Sequence, residues 1–273
     1  MSAVQFVGTV LSLWRYPVKS MLGEELNATI VTPRGVLGDR AFALIDPATG
    51  KVASAKNPRK WAKLFDFRAA YSMPPEHADR LPPIRITLPD GTIVTSEHAE
   101  LNRILSGVLG RDAVFSQAGL PKPSLEEYWP DIDGLPHRET ITDESMPPGT
   151  FFDLAVIHVL TTSTIERLRE LYPEGRFEVR RFRPNIVVEA ASGGKGFVED
   201  SWIGRTLAVG DEVRLSVTGP CPRCVMTTLP QADLPRDPGI LRTAVHHNQQ
   251  NVGIYATILQ GGIIRRGDPI TVA

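Results

Sequence analysis

The chain has 273 residues, of which 42% are hydrophobic and 22% charged, an ordinary composition for a soluble globular protein. A formal net charge of −1 excludes a broad basic surface for a nucleic-acid duplex, and no apolar run is long enough to cross a membrane. Two cysteines are too few for a disulfide framework, and the first residues lack a signal-peptide pattern. We therefore expect a cytoplasmic protein.

The first part of the chain is rich in predicted strands. Residues 4–14 hold β-branched and aromatic residues in partial alternation, and Gly8 marks a bulge within them. Two apolar runs each meet a Pro/Gly turn and a return run, which predicts hairpins at residues 41–53 and 84–94.

One amphipathic helix is predicted to close this first part. Ser96 has the character of an N-cap, apolar residues follow at helical spacing from Leu101 to Val108, and Gly110 ends the helix. Residues 1–118 are therefore predicted to form a small β-rich domain.

Residues 119–150 have a different composition. Six prolines lie between positions 121 and 148, and acidic residues cluster from Glu126 to Asp133. Prolines at this density interrupt regular elements, so we predict a proline-rich connector, with a surface lid as the alternative. Tyr128 and Trp129 are candidate anchors for this segment.

The last part of the chain again alternates short strands and turns. Residues 155–160 predict a buried strand, and Thr161 or Thr162 caps a helix that ends at Pro173. Many short strands with turns between them indicate a barrel or a sandwich. The fold class is therefore mainly β with some α. Five further strands are predicted at residues 185–188, 206–209, 213–217, 252–256 and 269–272.

The only two cysteines stand three positions apart, in the sequence Cys221-Pro222-Arg223-Cys224. A thiolate is a soft ligand and a strong nucleophile, and the prolines stiffen the approach to Cys224. Arg223 can stabilise a thiolate or hold an anion. A stiff loop with a thiolate beside a cation suits a metal cofactor that carries phosphate, whereas the plainest alternative is a buried structural cysteine.

Two other interpretations of the cysteines stay open. A zinc site would use Cys221, Cys224, His246 and His247, although adjacent histidines do not match the usual ligand spacing. A redox-active pair would be expected at the start of a helix, and Thr227-Thr228-Leu229-Pro230 is a poor helix opening.

Cationic residues recur where predicted strands meet loops. Lys19 ends the first strand, Arg40 precedes the second, and Arg183 precedes a later one. Arginine offers a planar donor fork and lysine a point charge, and both suit phosphate. Each residue alone is more simply read as a solvated surface charge, and the sequence does not bring the three together.

Five motifs occur in the order seen in MOSC-domain proteins, and the chain resembles that family over nearly its whole length. It is most similar to members that carry an N-terminal MOSC β-barrel domain, such as the mitochondrial amidoxime-reducing component and bacterial relatives that detoxify N-hydroxylated bases. The resemblance implies that residues 1–118 form a β-barrel-like N-terminal domain and that residues 119–273 form a MOSC β-barrel. The motifs are Tyr16-Pro17-Val18-Lys19-Ser20, Gly38-Asp39-Arg40, Phe182-Arg183-Pro184-Asn185, Cys221-Pro222-Arg223-Cys224 with Thr227-Thr228, and Gly267-Asp268-Pro269.

The resemblance also implies a molybdenum cofactor, molybdenum bound to molybdopterin. Cys224 matches the cysteine that binds the metal, and Arg223 and Asn185 are expected to stabilise charge near it. The residues expected to contact the cofactor are Lys19, Ser20, Arg40, Thr161, Thr162, Ser163, Arg183, Asn185 and Tyr255.

The function implied by the resemblance is the reduction of N-hydroxylated compounds. The two cysteines cannot hold an iron–sulfur cluster of four thiolates, so electrons are expected from a separate ferredoxin or flavoprotein. We expect neither a membrane anchor nor a nucleic-acid partner. The alternative is a cofactor carrier or sulfur-transfer module without substrate turnover.

Overall fold

A computed structural model describes residues 4–191 and 193–273. Strands make up 36% and helices 19% of it, which confirms the predicted fold class. Within these residues, no helix combines the length and the apolar character needed to span a membrane.

Most elements of the chain are short β-strands, and a few short helices lie between them. The strands are β1 (Gln5–Arg15), β2 (Glu24–Leu26), β3 (Ala28–Thr32), β4 (Gly35–Val36), β5 (Phe42–Ile45), β6 (Arg68–Tyr71), β7 (Ile84–Thr87), β8 (Ile93–Thr95), β9 (Val114–Gln117), β10 (Ser124–Tyr128), β11 (Ile141–Ser145), β12 (Ile157–Thr161), β13 (Ile186–Ala190), β14 (Thr206–Val209), β15 (Val213–Pro222), β16 (Asn251–Gln260), β17 (Gly262–Arg265) and β18 (Pro269–Val272). The α-helices are α1 (Pro58–Trp61), α2 (Leu101–Leu109), α3 (Thr162–Leu171), α4 (Val179–Phe182) and α5 (Pro238–Asn248), and 3₁₀ helices span Ala62–Asp66, Val198–Trp202 and Val225–Thr228.

Seven strands form a closed barrel in the order β13-β12-β16-β15-β14-β18-β1, and β1 pairs back to β13. The β12–β13 pair is parallel, and its neighbours in the barrel are antiparallel. Closure leaves no free sheet edge within the barrel, and the inward side chains form an aliphatic core.

The strand that closes the barrel comes from the beginning of the chain. In β1, Leu13 lies opposite Ile186 of β13, and Phe6 lies opposite Thr271 of β18. The register with β18 shifts between Phe6 and Gly8, which confirms the predicted irregularity at Gly8. The first strand therefore belongs structurally to the C-terminal barrel, and the division at residue 118 stays a prediction.

A second hydrophobic core lies in the N-terminal part, where α2 packs beside the β6-β7-β8 sheet. The predicted hairpin at residues 84–94 is confirmed as β7 and β8. The hairpin predicted at residues 41–53 is present only as a short antiparallel bridge between Ile45 and Val52, in which the Ala53 N–H donates to the Leu44 carbonyl at 2.8 Å. The longer pairing of β5 is with β9.

The start of helix α2 corrects one prediction, and its end confirms another. Ser96 does not cap the helix: its hydroxyl accepts a hydrogen bond from the Ile84 backbone N–H at 2.9 Å and so joins the sheet. Gly110 ends the helix in the left-handed conformation with a φ of 74°.

Residues 119–150 are more regular than predicted. They contain an antiparallel hairpin of β10 and β11, in which Leu125 lies opposite Glu144 and Glu127 opposite Thr142. The prolines of this segment all lie outside the two strands, so they border the hairpin rather than interrupt it. The expectation that the prolines interrupt regular elements is therefore wrong, whereas the role of the segment as a connector or a lid stays a prediction.

Helix α3 begins as predicted, whereas α5 was not predicted. The Thr161 hydroxyl accepts a hydrogen bond from the Thr164 N–H at 3.2 Å and caps α3. Helix α5 begins with a cap at Asp237 followed by Pro238, a starting signal that the sequence does contain.

A fragment of residues 119–273 should not unfold cooperatively, because it lacks the β1 side chains Val10 and Leu13, which are buried in the barrel core. Losing β1 would also leave β13 and β18 as open edges. Urea unfolding followed by tryptophan fluorescence tests this. Co-expression with residues 4–32 should restore a cooperative transition. A cooperative transition in the isolated fragment would show that the barrel does not need β1.

Candidate functional site

A cavity of about 230 Å³ is lined by residues from the N-terminal part, from the β10–β11 hairpin and from the barrel. It brings together motifs that are far apart in the sequence. The predicted site residues on its lining are Lys19, Ser20, Arg40, Arg183, Asn185, Arg223, Cys224 and Tyr255.

Three predicted cofactor contacts do not line this cavity. Thr161 is fully buried, and its hydroxyl donates to Glu199 Oε2 at 2.6 Å while it caps α3. The Thr162 hydroxyl accepts a hydrogen bond from the Ala190 N–H at 3.4 Å. The Ser163 hydroxyl donates to the Gly194 carbonyl at 3.0 Å. These side chains serve the helix start and its neighbours, so they have no part in the proposed site.

The backbone at the cavity is held in an uncommon conformation. Of the eight non-glycine residues with positive φ in the described part of the chain, four line the cavity. Left-handed backbone costs free energy for residues with a side chain, and such strain concentrates at binding sites where the surrounding structure enforces it. The four residues are Ser20, Arg40, Arg183 and Gln250, with φ values of 63°, 48°, 54° and 72°.

Arg40 and Arg183 are held against the same aromatic ring. Their guanidinium carbons lie 4.8 Å and 4.1 Å from the centroid of the Tyr16 ring. Asp39 pairs with Arg40, and its carboxylate also accepts a hydrogen bond from Asn185 Nδ2 at 2.9 Å. Burial, together with repulsion from Arg40, lowers the pKa of Arg183 to about 10, so both residues stay charged at neutral pH.

Two ion pairs form another part of the lining, and sequence reasoning missed their members Lys56, Glu127 and Asp153. Lys19 Nζ lies 2.7 Å from Asp153 Oδ1, and Lys56 Nζ lies 2.8 Å from Glu127 Oε2. Burial lowers the pKa of Lys19, and the attraction of Asp153 offsets part of this effect. Burial alone would raise the pKa of Asp153, but Lys19 and Lys56 together lower it. These residues belong to no local sequence motif, because they come together only in the folded chain.

The two cysteines occupy different environments. Cys224 is half-buried on the cavity wall, immediately before the 3₁₀ helix Val225–Thr228. Burial, assisted by Glu127, raises the pKa of its thiol to about 11, although Lys56 and Arg223 oppose the change. Cys221 is fully buried in β15. The cavity therefore offers one thiol, that of Cys224.

Arg223 connects Cys221 to the cavity. Its Nη1 donates to Cys221 Sγ at 2.6 Å, and its Nη2 donates to the Phe182 carbonyl at 2.9 Å. Its Nε is buried and has no hydrogen-bond partner within the described residues. The Arg223 side chain thus brings a cationic guanidinium to the cavity lining, where it favours an anionic ligand.

The zinc and redox interpretations receive no support from this geometry. In residues 4–191 and 193–273, no group of three or more His, Cys, Asp and Glu side chains is arranged to hold a metal ion. His246 and His247 lie near the end of α5, and Cys221 lies in a strand rather than at a helix start. Both cysteines are free thiols.

The residues present fit a phosphate-bearing metal cofactor. The lining carries five cationic side chains against three carboxylates, and a single thiol for a soft metal. The cationic side chains are those of Lys19, Arg40, Lys56, Arg183 and Arg223.

Comparisons with known proteins agree in covering both parts of the chain. A protein-family model of the MOSC N-terminal beta barrel domain matches residues 7–96, and one of the MOSC domain matches residues 148–271. Mitochondrial amidoxime-reducing component 1 from Homo sapiens is 26% identical over 98% of this chain and 83% of that protein. Mitochondrial amidoxime reducing component 2 from Rattus norvegicus is 24% identical over 98% of this chain and 84% of that protein. The solved structure of the YUAD protein from Bacillus subtilis aligns with 100% of this chain and 98% of that chain at 12% identity, with a TM-score of 0.49.

Replacing Asp153 with asparagine should lower the free energy of unfolding at pH 7 by about 1–3 kcal/mol, because the buried Lys19 ammonium loses its ion pair. The pKa of Asp153 is lowered in the folded protein. Its contribution is therefore present above the unfolded pKa of about 3.9 and is lost as the pH falls below that value.

Urea unfolding of the wild type and of Asp153→Asn, measured from pH 7 to pH 3, checks this prediction. The two stabilities should begin to converge below about pH 4. Asp143→Asn is the matched control, because Asp143 is an exposed carboxylate paired with Lys51 and its loss should change little. A difference between wild type and Asp153→Asn that stays constant with pH would contradict the ion-pair account.

Proposed function

We propose that this chain, which belongs to the MOSC-domain proteins and carries their N-terminal beta barrel domain, is a molybdenum-cofactor-dependent reductase of N-hydroxylated compounds such as amidoximes. The observation that carries the proposal is the convergence of Lys19, Arg40, Arg183 and Arg223 on one cavity with the thiol of Cys224. The names of the curated relatives, amidoxime-reducing components, support the reaction class. The cytoplasmic location expected from the sequence stays a prediction.

The proposed cofactor site divides its tasks among the lining residues. Cys224 would bind the metal as a thiolate, because metal binding displaces the thiol proton. Lys19, Arg40 and Arg183 would hold the phosphate of the pterin by charge-assisted hydrogen bonds. When bound, the cofactor supplies a metal that exchanges two electrons and accepts oxygen.

The protein supplies orientation and proton-bearing groups. Reduction of an N–OH group to N–H consumes two electrons and two protons and releases water. Burial raises the pKa of Tyr255, and the charges of Asp153 and Glu127 raise that of Lys56 despite its burial. Both lining side chains are therefore protonated at neutral pH and can donate hydrogen bonds into the cavity, from Oη of Tyr255 and from Nζ of Lys56.

A separate electron donor is part of the proposal. The chain has only two cysteines and no G-x-G-x-x-G dinucleotide fingerprint. We expect the isolated protein to be inactive with NADH or NADPH alone. It should reduce benzamidoxime with a chemically reduced viologen, or with a ferredoxin or flavoprotein and its reductase.

The test is benzamidine formation under each donor, on protein whose molybdenum content has been measured. Turnover driven directly by NADH would overturn the need for a partner. Absence of turnover with every donor, on molybdenum-containing protein, would overturn the reductase proposal in favour of a cofactor carrier.

Cys224→Ser should abolish molybdenum–thiolate absorption and N-hydroxy reduction, because serine replaces the metal-binding thiol of the cavity. Cys221→Ser should retain the absorption and part of the activity, because Cys221 contacts Arg223 and does not line the cavity. Visible absorption, metal content and turnover of the two variants check this. Full activity of metal-bound Cys224→Ser would show that the ligand assignment is wrong.

Lys19→Ala, Arg40→Ala and Arg183→Ala should each weaken cofactor retention by about tenfold to a hundredfold, the value of one charge-assisted hydrogen bond. Arg40→Lys and Arg183→Lys should recover only part, because lysine lacks the planar donor fork. Pterin content after dialysis measures retention. The exposed Arg103 provides the control Arg103→Ala. Wild-type retention in all three alanine variants would contradict an anion site.

A further inference from the structure

Arg181 is a buried cation that lies outside the cavity lining. Its side chain, on helix α4, is fully buried. Glu178, the N-cap residue of α4, pairs with Arg176 and Arg180 rather than with Arg181. A buried guanidinium costs free energy unless its donors are well bound, so the partners of Arg181 show what it holds in place.

The Arg181 side chain donates four hydrogen bonds, and each acceptor is a main-chain carbonyl. Its Nη1 donates to the carbonyls of Thr227 and Leu229, at 3.1 and 3.2 Å. Its Nε donates to the carbonyl of Arg176 at 2.8 Å, and its Nη2 to that of Pro235 at 2.9 Å. Since the donors of a guanidinium lie in a rigid plane, these bonds fix the backbone of this loop against α4.

Cys224 is connected to the same loop through its backbone. The Cys224 carbonyl accepts hydrogen bonds from the Thr227 N–H at 3.1 Å and from the Thr227 hydroxyl at 3.0 Å. The carbonyl of Thr227 is in turn bound by Arg181. Arg181 therefore holds the turn that carries the cavity thiol without touching the thiol itself.

A second arginine makes the reciprocal connection. Arg223, which precedes Cys224, donates from Nη2 to the Phe182 carbonyl at the end of α4, at 2.9 Å. The next residue after Phe182 is Arg183, which lines the cavity in the left-handed conformation. Each segment thus supplies an arginine that binds the backbone of the other. We call Arg181 and Arg223 the arginine clasp.

We propose that Arg181 is a positioning residue, which fixes the Cys224 thiol at a set distance from the Arg183 guanidinium through the arginine clasp. The inference rests on the proposed function, in which Cys224 holds the metal and Arg183 the phosphate of one cofactor. A ligand bound at two points tolerates little error in the distance between them, and a displacement of about 1 Å can lower a rate on the order of a hundredfold.

The reactivity of the Cys224 thiol tests the clasp without turnover. The full-length protein is purified from a host that cannot make the pterin cofactor, and alkylation by iodoacetamide at a fixed pH is followed on the Cys224 peptide by mass spectrometry. Arg181→Met removes four hydrogen bonds and should make Cys224 react severalfold faster, because the turn before it and after it is released. Arg181→Lys keeps the charge with fewer donors and should give an intermediate rate.

Arg169→Met is the matched control. Arg169 also donates to a main-chain carbonyl, that of Phe177, but it lies on helix α3. This variant should react as the wild type does. Urea unfolding of each variant shows whether the protein is folded under the assay conditions, and if Arg181→Met does not fold, the comparison of Arg181→Lys with the wild type carries the test.

Cofactor-loaded protein supplies a readout that a general loss of stability would not change. In Arg181→Lys, the molybdenum–thiolate absorption per bound molybdenum should shift or weaken, and kcat should fall about tenfold while KM changes little. Arg169→Met should keep the wild-type absorption and kcat.

The two assays separate failure of the clasp from failure of the proposed function. Wild-type alkylation rate and absorption in folded Arg181→Lys, in a protein that reduces benzamidoxime, would overturn the positioning role and leave the reductase in place. Faster alkylation in the Arg181 variants of a protein that binds no molybdenum would uphold the positioning of Cys224 while the proposed function fails.

Discussion

A single buried carboxylate, that of Asp39, holds three distant segments of the chain at one point. It accepts hydrogen bonds from the Tyr16 N–H at 2.7 Å and from Asn185 Nδ2 at 2.9 Å, and it pairs with Arg40. Asn185 in turn accepts a hydrogen bond from the His158 N–H at 3.1 Å, which extends the network to strand β12. The position of Arg40, and through the Tyr16 ring that of Arg183, depends on this junction. The junction forms only because β1 closes the barrel between β13 and β18 and delivers Tyr16 to it.

The cavity lowers the free energy of unfolding when no ligand is bound. It gathers five cations in a partly buried volume, holds four non-glycine residues in the left-handed conformation, and leaves Arg223 Nε without a hydrogen bond among the described residues. Each of these features costs free energy, although Asp39, Glu127 and Asp153 neutralise part of the cationic charge. An anionic ligand would offset the remaining positive charge, so ligand binding and stability are expected to be coupled.

Local patterns in the sequence predicted many elements, but not how they assemble. Alternation and turn residues identified β1, β7, β8 and most barrel strands, because those signals are local. They could not show that β1 closes the C-terminal barrel, because β1 pairs with strands far along the chain and such long-range pairing produces no pattern in the local sequence. The β10–β11 hairpin was missed because its flanking prolines dominate the composition, although the prolines lie outside the strands.

For the candidate site as well, the sequence identified some residues and the structure was needed for others. The motifs that carried the family resemblance identified Lys19, Arg40, Arg183 and Cys224, and the structure brings these residues to one cavity. Lys56 and Asp153 belong to no motif and were found only through their contacts across the cavity. Thr161 was expected at the cofactor because the family resemblance implies a contact there, yet its hydroxyl is engaged by Glu199 and by the cap of α3.

If the cavity is a molybdenum-cofactor site, the wild-type protein must carry the cofactor when it is purified from a host that makes it. The decisive measurement is the molybdenum and pterin content of this protein after gel filtration. We expect about one molybdenum and one pterin per chain, retained through the column. Folded protein that carries neither, from cells whose other molybdenum enzymes are loaded, would contradict it.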